Sequence, residues 1–78
     1  MPTLRLFASV KQVAGTGSVI LPGETVSDVV EEASAQFGAE FTDIVKSCRI
    51  WLNGNPTEID TSVNDDDEIA LLPPVSGG

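Results

Sequence analysis

Residues 24–38 read ETVSDVVEEASAQFG. The spacing predicts a helix. Thr25 is a good N-cap, and Asp28, three residues on, makes a near-capping box. Val26, Val29, Val30, Ala33 and Phe37 fall along one face at helical spacing. Gly38 is placed to end the helix. Asp28, Glu31 and Glu32 lie towards the N-terminal half, where the helix dipole favours acids. A helix this polar on one side must bury its apolar side against something else.

The flanking segments supply a sheet. Upstream, TLRLF (3–7) alternates and reads as a strand with one buried face. SVKQVAGTG (9–17) follows as a connection, with Gly15 and Gly17 as turn residues. SVILP (18–22) is a second strand, so the pair is expected to form a hairpin with a long loop. Downstream, EFTDIVKS (40–47) reads as a further short helical turn. CRIWLNGNP (48–56) is a strand running into an Asn53-Gly54 turn. Ile59 is expected in a short edge segment, NDDDE (64–68) in a turn, and EIALL (68–72) in the last strand. The order is β-β-α-β-β, an α+β domain with one main helix packed on a short sheet.

Alternation also forecasts the other face of that sheet. If Leu4 and Leu6 point inward, Phe7 points away. If Ile69 and Leu71 point inward, Leu72 points away, and Trp51 lies opposite Ile50 and Leu52. Phe7, Trp51 and Leu72 are therefore expected to form an exposed apolar patch, the usual mark of a binding surface.

With 78 residues, the chain is long enough for one domain with one core. Its aromatics are Phe7, Phe37, Phe41 and Trp51, so aliphatic side chains must fill most of that core. Cys48 is the single cysteine and has no partner for an internal disulfide, which favours a reducing compartment. The net charge of −8 repels nucleic acid and anionic lipid and points to a protein partner with a basic surface. MPTLRLFASV (1–10) lacks a targeting pattern, and the longest apolar run, Ile69 to Val75, is too short to span a bilayer. A soluble, cytoplasmic protein is expected.

Side-chain chemistry is scarce. There is no histidine and no tyrosine. Cys48 lies among apolar residues in a predicted strand and reads as an inert thiol. Asp65, Asp66, Asp67 and Glu68 lack the spaced oxygens and glycine bend of a cation loop, so no metal site is expected. No phosphate-binding loop, dinucleotide fingerprint or CxxC occurs.

What remains is LLPPVSGG, residues 71–78. Pro73 has no N–H and should end the last strand. Pro73-Pro74 favours an extended backbone, and Val75 and Ser76 continue it. The division is a domain over 1–72 and a tail over 73–78. Six extended residues reach roughly 18–20 Å, enough to enter another protein's cleft. Gly77 and Gly78 lack a Cβ, so the backbone can pass a narrow channel. A carbonyl at Gly78 would be minimally hindered once its carboxylate is activated.

The ββαββ pattern with a Gly-Gly end resembles the β-grasp, ubiquitin-like sulfur carriers of the MoaD/ThiS family. LFASVKQVAGT (6–16), LNGNP (52–56) and DDDEIALLPPVSGG (65–78) carry the resemblance and span the chain. The Pro-Pro-Val-small-Gly-Gly ending is most similar to the MoaD group, the small subunit of molybdopterin synthase.

The resemblance implies that an E1-like (MoeB-like) enzyme uses ATP and Mg²⁺ to adenylate Gly78, and that sulfur replaces AMP to give a thiocarboxylate. It implies a MoaE-like large subunit in a heterotetramer, in which the tail converts cyclic pyranopterin monophosphate to the molybdopterin dithiolene. On this reading the chain binds no cofactor itself. Gly78 is the carrier, Gly77 gives clearance, and Phe7 and Leu72 match positions of the partner-binding surface, continued by Pro73, Pro74, Val75 and Ser76. Trp51 rests on alternation alone. A carrier for thiamine or cysteine synthesis, a protein modifier and a plain interaction domain are the alternatives. Asp66 stands where the family commonly has glycine, which puts the geometry of that turn in question.

Overall fold

A computed structural model of the chain describes residues 1–74. Five strands and three helices run in the order β1 (Thr3–Leu6), α1 (Ala8–Ala14), β2 (Ser18–Ile20), α2 (Val26–Phe37), α3 (Ala39–Val45), β3 (Arg49–Leu52), β4 (Asn55–Pro56) and β5 (Glu68–Leu72). The strands form one mixed sheet in the order β2-β1-β5-β3-β4. β1 and β2 pair antiparallel, as the hairpin reading expects, and so do β3 with β4 and β3 with β5. The central pair, β1 and β5, is parallel, with Leu4 beside Ile69 and Leu6 beside Leu71.

The main helix follows the sequence closely. Thr25 Oγ1 accepts from the Asp28 N–H at 3.1 Å, and Asp28 Oδ2 accepts from the Thr25 N–H at 3.3 Å. The box is thus complete, with aspartate in the place usually held by glutamate. Val26, Val29 and Ala33 are fully buried against Leu4, Leu6, Ile69 and Leu71, while Val30 and Phe37 pack at the edge. Gly38 ends α2 and opens α3 at φ 97 and ψ −172, a conformation open in practice only to glycine. That turn folds α3 back so that Phe41 is fully buried.

Two local readings need correction. Residues 8–14 are not a bare connection but helix α1. It has no side-chain N-cap and spans only seven residues, too short to hold by propensity. It is held by packing: Val10 is fully buried, with Val13 and Ala14 against the core. Ile59 lies in a turn, 59% exposed, and not in an edge strand. The Ile59 carbonyl instead accepts from the Ser27 N–H at the start of α2, at 2.8 Å.

The turn at Asn53-Gly54 has positive φ at both residues, 51 and 85, as a tight two-residue hairpin requires. Asn53 also clips this turn to the one before β5. Its amide nitrogen donates to Asp67 Oδ1 at 2.9 Å, and its amide oxygen accepts from the Glu68 N–H at 2.9 Å. Asp67 Oδ2 accepts from the Asn64 N–H at 2.7 Å. Among the described residues, the non-glycine positions with positive φ are Ala8 and Asn53 and not Asp66, so this turn does not call on the conformational freedom of glycine.

The Asn53 amide, then the Asn64 N–H, hold the Asp67 carboxyl below its usual range. A group lowered in this way stabilises the fold above its unfolded pKa and loses that contribution as pH falls through the folded one. Between about pH 6 and pH 3, the urea midpoint of the wild-type chain should therefore fall further than that of Asp67→Ala. Parallel declines would show that the clasp does not favour the ionised carboxylate.

Candidate functional site

Alternation sets which side chains leave the core, and the parallel pairing of β1 with β5 sets where they meet. Because Leu6 lies beside Leu71, both strands finish at the same end of the sheet. The residue after β1 is Phe7, and the last of β5 is Leu72. β3 completes the row from the other side, with Trp51 opposite Ala70 and Arg49 opposite Leu72. A groove of about 570 Å³ results, lined by Phe7, Ala8, Arg49, Trp51, Leu72 and the two prolines. The patch forecast from Phe7, Trp51 and Leu72 is thus brought together at the point where the chain leaves the sheet.

Phe7 is 37% exposed, and Trp51 and Leu72 are half-buried. Pro73 is half-buried and Pro74 exposed, both beyond the last pairing of β5. Val75, Ser76, Gly77 and Gly78 lie outside the described residues. Ala8 sits beside Phe7 with φ 50, a costly setting for a residue with a Cβ. It turns the chain sharply out of β1 into α1 and leaves Phe7 on the groove wall. The Arg5 guanidinium lies 5.9 Å from the centre of the Phe7 ring and 3.4 Å from the Glu68 carboxylate.

Arg5, Arg49 and Ala8 escaped the sequence reading. For Arg49 the signal was present, because it stands two residues before Trp51 and so shares its face. The strained turn at Ala8 left no mark in the sequence.

The described residues hold little other chemistry. Cys48 donates its S–H to the Ile44 carbonyl at 3.3 Å, and burial pushes its thiol pKa up, away from the reactive thiolate. Among the described residues, no group of three or more metal-ligating side chains forms, and no helix is long and apolar enough to cross a membrane.

A mixed five-stranded sheet clasping one main helix, with an apolar groove where the last strand ends, is the architecture of a ubiquitin-like β-grasp domain. The chain belongs to the ThiS family, whose model matches residues 4–78. It is similar in structure to small archaeal modifier protein 1 from Methanosarcina acetivorans, with 33% identity and a TM-score of 0.87, over 99% of this chain and 95% of that one. Small archaeal modifier protein 1 from Haloferax volcanii matches at 28% identity and a TM-score of 0.82, over 99% and 98% of the two chains. A third match is to the complex of subunits 1 and 2 of molybdopterin-converting factor from Helicobacter pylori. There the identity is 26% and the TM-score 0.71, over 99% of this chain and 97% of that one. No curated protein gives a significant match.

Proposed function

We propose that this chain carries sulfur on the carbonyl of Gly78, as the small subunit of molybdopterin synthase. The observation that supports this most is the groove of Phe7, Trp51 and Leu72 at the base of Pro73-Pro74. A partner seated there receives the tail in the same act, so docking and delivery are one event. An E1-like enzyme with ATP and Mg²⁺ joins the Gly78 carboxylate to AMP and releases pyrophosphate. Hydrosulfide attacks the carbonyl, the bond to the phosphate oxygen breaks, AMP leaves with its electron pair, and a thiocarboxylate remains. A MoaE-like large subunit then takes the tail, the thiocarboxylate sulfur displaces an oxygen substituent on the side chain of cyclic pyranopterin monophosphate, and water cleaves the acyl–sulfur bond to leave the sulfur on the pterin and return the Gly78 carboxylate.

Incubation with an E1-like enzyme, ATP and a sulfur donor should exchange one oxygen of the intact protein for sulfur, read by mass. An unchanged mass would overturn the carrier reading. Co-purification with a MoaE-like subunit supports the molybdopterin role in particular. The 33% identity to small archaeal modifier protein 1 favours one second reading, a protein modifier. In that case the activated Gly78 carbonyl is attacked by a lysine amine, and lysine-linked conjugates replace the thiocarboxylate as the main product.

A further inference from the structure

The chain carries twelve acidic side chains and four basic ones. They are not spread evenly. Three of the four basic residues, Arg5, Lys11 and Arg49, line the groove or the neighbouring hollow of about 430 Å³ on the other side of Phe7. None of the acidic residues lines either one. The fourth basic residue, Lys46, pairs with Asp43 elsewhere. A surface acidic overall is therefore locally basic where the tail begins.

The arrangement is a checkerboard set by strand register. One row across the sheet runs Arg5, Ala70, Trp51. In the next row Leu72 faces Arg49, with Phe7 just past the end of β1 on the other side. Each row holds one arginine and one aromatic, on opposite flanks of β5. Among the described residues Arg49 makes no ion pair, and the Arg5 pair with Glu68 is long and exposed, so it holds Arg5 weakly. Both guanidinium groups are available to a carboxylate, for which their planar fork is well shaped.

We propose that this face docks a protein surface that is apolar at its centre and carries carboxylates opposite Arg49 and opposite the Arg5–Lys11 side. The inference rests on reading the tail end as the docking end, and it adds the partner's chemistry. Net charge alone points to a basic partner. The local pattern selects an acidic one for this face, while the acids on the rest of the domain repel it from every other approach.

The test is ATP–pyrophosphate exchange by the E1-like enzyme of the same genome, with the full chain as substrate. Arg49→Glu and the double variant Arg5→Glu/Lys11→Glu should each lower kcat/KM by about tenfold or more, mainly through KM. Arg49→Lys should keep most of the activity, and Glu31→Gln/Glu32→Gln on the remote helix should leave it unchanged. Reversal variants that react as fast as wild type, or faster, would overturn the proposal while leaving the carrier reading intact. Absence of exchange by the wild-type chain overturns both. If sedimentation shows a wild-type dimer that Arg49→Glu disperses, the occupant is a second copy, and the proposed partner is wrong.

Discussion

Deleting Gly78 should abolish adenylation and sulfur loading and leave the fold unchanged. On the proposed mechanism the carboxylate that is activated is that of Gly78, and a side-chain carboxylate on the folded domain does not reach into a narrow channel as an extended tail does. Deletion leaves a carboxylate on Gly77, about 3.3 Å short of its proper reach. Reacting atoms must approach to about 3–3.5 Å, and a displacement of about 1 Å already costs on the order of a hundredfold in rate. A gap of a whole residue exceeds that several times over. Stability should not change, because the last core residue is Leu71, fully buried, and β5 ends at Leu72. Pyrophosphate exchange and a thermal melt on the same samples check both halves. A deletion variant loaded as fast as wild type would remove Gly78 from the mechanism.

Phe41→Ala should be the most damaging single truncation in the core. Phe41 is fully buried, the largest side chain that is, and its ring lies 5.1 Å from that of Phe37. It belongs to α3, which contacts both α1 and α2, so its loss opens the joint between three helices. Burial of this kind is worth about 3–5 kcal/mol. A domain of this size has a total stability of about 4–12 kcal/mol. The variant should therefore melt roughly 15 °C or more below wild type, or be largely unfolded. Phe37→Ala, at a half-buried position, should cost clearly less. A Phe41→Ala midpoint within a few degrees of wild type would mean that the core closes over the gap.

The elements that were readable share one property: their signals lie within a few residues. Thr25 and Asp28 form the cap of α2 from three positions apart, and Gly38 stops the helix where spacing placed the stop. Asn53-Gly54 makes the hairpin its dipeptide demands. The inward Leu4, Leu6, Ile69 and Leu71 follow from a period of two. Helix α1 was not readable, because Val10 supplies its one deeply buried contact and no capping residue announces it. Its helicity comes from the core it covers.

The sequence by itself therefore determined the main helix and the inward positions of β1 and β5, and it singled out the end of the chain as the site proposed for the chemistry. Alternation forecast that Phe7, Trp51 and Leu72 share a face, but only the tertiary structure decided the register that brings them into one groove and sets Arg49 on its wall. That depends on the parallel alignment of Leu6 with Leu71, sixty-five positions apart. No local preference encodes such a pairing. It is set by burying both strands beneath one helix layer in a single register, since a slip of one residue would turn every core side chain out to water.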